Sequence, residues 1–485
     1  MTLDIKSYWQ NYIGGKWLDA VGGERIKIEN PATQEIIAEI AAAGPEDVDR
    51  AVIAARACVN SRALVAMRPM DRGRMVIEMG RKLRERSEEI AQLITADCGK
   101  RISEARSEVE GSAKYFEYYG GMAEKIEGKY IPLGDGYIDY VVPYPYGVTA
   151  HIIPWNFPNQ MVARSLAPAL TAGNAAVIKL AELDPLSAYI YGELAQEVGF
   201  PDGAVNIICG HGHIAGAALA AHPDIDQMVF TGSVPTGQSI MRAAAETAIP
   251  CVMELGGKSP GIVFPDADMD NVMANAQAGI FMNSGQVCDA MSRLIVQADV
   301  YDQVVERFVE ETKRLSIGPG IDDHDITPLI CARQLDRVEA YATRGMDEGA
   351  RCATGGSRTN DNVGHYMAPT VFADVTPDMT INREEIFGPV LSILKFETTQ
   401  EAIDIANGTD YGLAAVLFTN DLDRAIWCTE RIDAGQVHVN EWGVGGIETP
   451  FGGFKKSGYG REKGVESLSN YYQSKNVGFK RLGEP

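Results

Sequence analysis

Between residues 148 and 255, short apolar runs alternate with stretches of helical character, and this alternation limits the fold more than any other feature. The runs 148–153, 175–179, 204–209, 227–230 and 251–255 read as strands. The intervening 159–172, 185–198, 213–221 and 236–247 read as helices, the first closed by Gly173. Strands and helices in strict alternation imply an α/β fold with a doubly wound parallel sheet. Such sheets bind ligands in the crevice beyond the carboxyl ends of their strands. A second alternating block covers 261–448, with helices at 270–283, 301–315 and 333–348 and strands that include 292–297 and 390–396.

What flanks these blocks is different in kind. Residues 12–45 suggest short strands and turns, and from Pro45 onward Val48, Val52 and Ala55 recur at helical spacing. A longer helix is expected over 71–99, with Asp71 as N-cap and Gly99 as its stop. A third is expected over about 102–125. Residues 126–147 are β-prone and rich in turns, as in a protruding hairpin, and 471–477 look like a terminal strand.

With 485 residues, 45% of them hydrophobic, the chain can bury the cores of about three domains or lobes. Its net charge of −22 and lack of a long basic run argue against nucleic acid or an anionic membrane as partner. The N-terminal stretch has neither the basic end nor the apolar run of a signal peptide, and no 18-residue apolar stretch suggests a membrane span. The eight cysteines contain no C-x-x-C pair, so reduced thiols in a cytoplasm are expected, with no disulfide framework. No metal site is expected: His211 and His213 form an H-x-H pair without evident acidic or thiol ligands nearby.

Several residues could carry chemistry. Cys288 follows a Gly285-Gln286 turn, where a thiol is presented rather than packed, although most free cysteines are simply small buried hydrophobes. Glu254 ends a strand beside two glycines, as a general base or a solvated charge. Asn156 sits between two prolines, where an amide can donate to a developing oxyanion or only bond its own turn. Gly232 and Ser233 lead from a strand into a helix whose first N–H groups suit a pyrophosphate, and 210–216 is a second, looser candidate turn. Lys179 and Glu182 both fall at the end of a strand, and Glu385 opens a rigid Glu-Ile-Phe-Gly-Pro loop.

Six motifs occur together: PWNFP at 154–158, FTGS at 230–233, MELGGKSP at 253–260, GQVC at 285–288, EEIFGPV at 384–390 and PFGGFKKSGYGRE at 450–462. As a set, and in this order, they resemble the NAD(P)-dependent aldehyde dehydrogenase superfamily from about Tyr12 to Val477. The resemblance implies Cys288 as nucleophile, Glu254 as general base, and Asn156 with the Cys288 N–H as oxyanion hole. It implies a cofactor site built from Ile152, Pro154, Trp155, Lys179, Glu182, Gly232, Ser233, Leu255, Glu385 and Phe387, with NAD favoured over NADP because Glu182 would meet a 2′-phosphate with like charge. Leu180 departs from the family, in which proline commonly follows the lysine.

The family division places a NAD-binding domain at 1–125 and 148–253 and a catalytic domain at 254–448. An oligomerisation arm and terminal strand would occupy 126–147 and 465–485, and the expected assembly is a homo-oligomer, dimer or tetramer. For the substrate, Arg164 is the distinguishing residue: succinate-semialdehyde dehydrogenases resemble this chain in placing an arginine there, which would grip a carboxylate. Asp289 would line the same tunnel, or neutralise Arg164 internally. Gly445 falls where many relatives have an aromatic wall, with Val444 beside it as a further substrate-binding residue, so a roomier tunnel and a bulkier semialdehyde or polar aldehyde are expected. Met282 departs from the semialdehyde pattern, in which a second arginine is common. Two other readings remain at this stage, a CoA-acylating relative and a non-catalytic structural member; retention of Glu254, Cys288 and Asn156 weighs against both.

Overall fold

The computed structural model describes residues 5–359 and 363–483. Two large sheets organise them. In the first, the strands Val148–Ile152, Ala175–Leu180, Val205–Cys209, Gln227–Gly232 and Cys251–Leu255 are parallel neighbours, and Val148–Ile152 lies between Ala175–Leu180 and Gln227–Gly232. The chain therefore winds outward to one side through Val205–Cys209, then returns past its starting strand to wind the other way. Ligands bind at such a reversal, because the loops leaving the two strands diverge and open a crevice. Here those loops carry Pro154–Pro158 and Gly232–Ser233. Short antiparallel strands, Asn11–Ile13 and Gly458–Tyr459, cover the two ends of the parallel set.

The second sheet runs Arg351–Thr354, Thr370–Ala373, Val390–Phe396, Arg293–Gln297, Pro260–Val263, Ala414–Phe418, Gln436–Val439. All its pairings are parallel except that of the edge strand Arg351–Thr354. The central strands of both sheets are buried along their whole length, as expected for strands covered on both faces. Each sheet has its own apolar core.

A third, three-stranded sheet forms the arm. Tyr137–Pro145 pairs antiparallel with Lys129–Ile131 on one side and with the terminal strand Tyr472–Lys480 on the other, the latter over nine residue pairs. Near the N-terminus, Tyr8–Trp9, Ile36–Ala41 and Arg25–Glu29 form a small mixed sheet.

The structure differs from sequence expectation in local ways. The helix expected over 71–99 is two helices, Pro69–Glu85 and Ser87–Cys98, broken at Arg86, whose φ of −109° and ψ of 19° leave helical space. The first starts before Asp71, because Pro69 fits the first turn, where its missing N–H costs nothing. Gly99 does stop the second, in the left-handed conformation at φ 79°. Residues 212–216 form a single π-helical turn rather than a phosphate loop. The expected domain division between residues 253 and 254 falls inside the strand Cys251–Leu255. Among the described residues no helix is long and apolar enough to cross a membrane.

Candidate active site

The thiol of Cys288 is positioned by a strained approach. After the helix Met269–Phe281, Asn283, Ser284 and Gly285 have φ values of 47°, 52° and 74°. Consecutive left-handed residues that are not glycine persist only where surrounding contacts over-determine them. Those contacts are present. Asn283 Nδ2 donates to the Asn156 carbonyl at 2.9 Å, and its backbone N–H donates to Glu104 at 3.0 Å. Ser284 Oγ donates to the Thr327 carbonyl at 2.7 Å, and the Gln286 side-chain oxygen accepts from Ile330 N–H at 3.0 Å. At Gly285 any Cβ would collide with the Gly388 carbonyl.

Cys288 emerges half-buried at the wall of a cleft of about 670 Å³ between the two large sheets. Burial, and then the neighbouring Asp289 carboxylate, push its thiol well above the ordinary value. Asn156 lines the same cleft, with Nδ2 donating to the Gln286 carbonyl at 3.0 Å, which fixes the plane of the amide beside the turn that leads to Cys288. Glu254 reaches the cleft from the end of its strand. It is buried, and neither carboxylate oxygen has a hydrogen-bond partner among the described residues. Gly452 is what admits it: a Cβ there would lie 2.9 Å from Glu254 Oε1. Burial and the Glu462 carboxylate raise the Glu254 pKa well above the usual carboxylate range. Once deprotonated, an unpartnered carboxylate of raised basicity takes a proton from water more readily than an ordinary solvated one.

The other end of the cleft suits a dinucleotide. Gly232 and Ser233 stand at the start of the helix Val234–Thr247, and the Ser233 hydroxyl bonds Thr236 Oγ1 at 2.9 Å instead of capping the helix. Its first N–H groups therefore face the cleft without a side-chain cap, an arrangement that favours phosphate. Pro154, Trp155, Leu255, Glu385 and Phe387 also line the cleft. Glu385 accepts the Gly257 N–H at 3.1 Å, and burial raises its pKa to about 7. Phe387 meets Trp155 edge-on at 5.2 Å. Ile152 is buried as the last residue of its strand. Lys179 and Glu182 do not line the cleft; Lys179, near the end of the strand Ala175–Leu180, pairs at 2.8 Å with Glu182 just past it, and Glu182 accepts the Gly212 N–H at 3.1 Å.

The aldehyde dehydrogenase family profile matches residues 17–477. An aldehyde dehydrogenase of Alternaria alternata is 42% identical over 98% of this chain and 95% of its own. The chain belongs to the aldehyde dehydrogenase family. It is therefore an NAD(P)-dependent oxidoreductase acting on aldehydes. A mitochondrial aldehyde dehydrogenase of Equus caballus is also 42% identical over 98% of this chain and 95% of its own. The NAD+ complex of a Bacillus cereus aldehyde dehydrogenase superposes with a TM-score of 0.96, at 39% identity, over 98% of this chain and 97% of that one.

The residues expected to read the substrate are placed differently from expectation in this enzyme. Arg164 is buried and does not line the cleft; its Nε pairs with Glu462, and Nη2 donates to Thr231 Oγ1 at 3.3 Å. A guanidinium removed from water needs a counter-charge, and Glu462 supplies it from the Gly-Arg-Glu end of the last motif. Among the described residues no ion pair joins Arg164 to Asp289. The Asp289 carbonyl instead accepts Trp442 Nε1–H at 3.4 Å, which ties it to the loop bearing Val444 and Gly445. Both of those residues are exposed and outside the cleft lining.

Three further residues were missed in the sequence: Gln334, Arg337 and Tyr341 on the helix Ala332–Asp347. Their spacing of three and then four is one helical face. Gln334 donates to the Phe387 carbonyl and Arg337 to the Glu385 carbonyl, both at 2.8 Å, so this face carries the Glu385 loop to the cleft.

Proposed function

We propose that the enzyme uses NAD to oxidise a polar aldehyde to its acid through a covalent thioester on Cys288. The observation that carries this reading is the convergence of Cys288, Glu254 and Asn156 on one cleft whose far end is the uncapped start of a long helix. The Cys288 thiolate adds to the aldehyde carbon, forming the C–S bond. Asn156 Nδ2 and the Cys288 N–H hold the resulting oxyanion. A bound nicotinamide would accept the hydride as the adduct collapses. Glu254 then takes a proton from water, which attacks the thioester and releases the acid and the thiol.

NAD is the cofactor the residues fit best. Burial opposes ionisation of Glu182, but the Lys179 ammonium outweighs it and holds this carboxyl below its ordinary range. A fixed anion there accepts ribose hydroxyls and repels a 2′-phosphate. A carboxylate or another polar group on the aldehyde is supported by the charge around the nucleophile. Asp289 adjoins Cys288, and Lys463, 5.3 Å from the Phe451 ring centre, is within electrostatic reach of both. None of Arg164, Asp289 and Lys463 lines the cleft; with Arg164 engaged by Glu462, Lys463 and Asp289 would act on such a substrate through their charge near Cys288.

On this reading the first sheet binds NAD and the second carries catalysis. The arm mediates homo-oligomerisation: Tyr130, Tyr137, Ile138 and Phe479 expose large apolar surface on its three strands. Eight free thiols favour a reducing compartment such as the cytoplasm. The test is NADH formation with short aliphatic, ω-carboxylated and aromatic aldehydes. Cys288→Ala should abolish turnover yet still bind NAD; turnover near the parent rate would overturn the proposal.

A further inference from the structure

A buried ion pair outside the cleft is joined by hydrogen bonds to the loop that carries Asn156. Lys100 follows the helix Ser87–Cys98 and Glu108 lies within the helix Ile102–Gly120; their side chains pair with no exposure to solvent. Burying two charges is costly, and such a pair is weak evidence of stability on its own account. What else the pair touches is therefore informative. Lys100 Nζ donates to the Asn156 carbonyl at 2.8 Å and lies 3.7 Å from the centre of the Phe157 ring. Glu108 Oε1 accepts the backbone N–H groups of Asn159 and Gln160, at 3.0 and 3.1 Å. These open the helix Pro158–Ala172, whose N-cap position, Phe157, makes no side-chain cap bond. One ion pair thus fastens the loop at Asn156 and again where it becomes helix.

The second hydrogen bond to the Asn156 carbonyl comes from Asn283, in the strained turn before the nucleophile. Both acceptor positions of that carbonyl are therefore filled, one by the Lys100 ammonium and one by the cysteine's own loop. The peptide of Asn156 is held on the same frame as Cys288, while its side chain is aimed by the Gln286 carbonyl. A donor serves a developing oxyanion only when it is fixed before the charge appears. A displacement of about 1 Å by loss of support can cost as much as about a hundredfold in rate.

We propose that Lys100 and Glu108 are positioning residues for the oxyanion hole, setting the place of Asn156 relative to Cys288 without touching substrate. The inference rests on the reading of Asn156 as the oxyanion donor. The test is a double-mutant cycle on the rate of the NADH burst. Lys100→Met with Glu108→Gln removes the tether, leaves neither member of the pair as an unpartnered charge, and keeps an acceptor for the Asn159 and Gln160 N–H groups. Removing an oxyanion donor outright costs about 10²–10³ in rate, so displacing one should slow the burst by about tenfold or more. The NAD dissociation constant should stay within about twofold, because the cofactor contacts are untouched. In an Asn156→Ala background the same pair of changes should have almost no further effect, since residues acting as a unit are not additive. Equal losses in both backgrounds would overturn the positioning role. An unchanged burst in Asn156→Ala alone would overturn the oxyanion reading itself, a different result. Should the paired variant fail to fold, Glu108→Gln alone, which weakens the hold on Lys100, is carried through the same cycle, where a loss confined to the Asn156 background supports the positioning role and equal losses overturn it.

Discussion

Arg164→Leu separates a structural charge from a substrate-binding one, and its cost can be worked from the structure. The Arg164 and Glu462 side chains are 4% and 2% exposed, so the substitution strands a carboxylate that water cannot reach. Glu462 has one escape, which is to take up a proton. From an ordinary value of 4.5, holding a carboxyl protonated at neutral pH costs at most about 3.4 kcal/mol, at about 1.36 kcal/mol per pH unit, because burial already raises the Glu462 pKa part of the way with Arg164 in place. That figure falls within the roughly 3–5 kcal/mol seen when one partner of a buried pair is removed. The sign of the pH dependence follows. In the variant the folded-state pKa of Glu462 lies above its unfolded value, so the folded state is favoured at low pH and loses ground as pH rises. Equilibrium urea unfolding should show a deficit of about 3 kcal/mol near neutrality, shrinking by about 1.4 kcal/mol per unit of acidification. Arg164→Leu with Glu462→Leu should regain most of it, because a buried pair replaced by apolar groups is often neutral. Activity should fall alike on an ω-carboxylated aldehyde and on its uncharged match. A deficit independent of pH, or a loss confined to the carboxylated substrate, would refute this account and return Arg164 to the substrate.

Three other outcomes are expected. Glu254→Gln should preserve a rapid NADH burst and slow the steady state that follows, measured by stopped-flow absorbance; equal loss of both phases would place Glu254 before hydride transfer. Asp289→Asn should move the pH profile of Cys288 alkylation by iodoacetamide toward lower pH, since the Asp289 carboxylate is the second cause, after burial, of the raised thiol pKa. An unchanged profile would remove Asp289 from the thiol's surroundings. Glu182→Ser should narrow the preference for NAD over NADP in kcat/KM by lifting like-charge repulsion, and an unaltered ratio would count against that role.

The alternating pattern and the six motifs made the first sheet and most of the cleft legible in the sequence, because strand ends and glycine turns are local signals. The doubly wound pattern implied a reversal of strand order, but that it falls beside Val148–Ile152 was not legible, since pairing is set by tertiary packing. Arg164 shows the same limit at the scale of one side chain. Its position a few residues past the PWNFP motif was readable, but its partner Glu462 is distant in the chain and became visible only when both were buried together. Lys100 and Glu108 escaped notice for the same reason: nothing in a Gly-Lys followed by a helix reports that an ammonium will bond the Asn156 carbonyl. The helix over 71–99 was misread for a local reason, because the break at Arg86 lacks both glycine and proline.

The pairing of Tyr137–Pro145 with Tyr472–Lys480 sets an order on synthesis. A ribosome releases the first of these strands early, and nearly all of both large sheets must be made before the second appears. Until then the arm presents an open, partly apolar edge, the kind that pairs with whatever strand is at hand. Contacts so far apart in the chain also form slowly. The nascent protein thus carries this unpaired edge through most of its synthesis, and a chain cut short before Tyr472 would keep it open permanently.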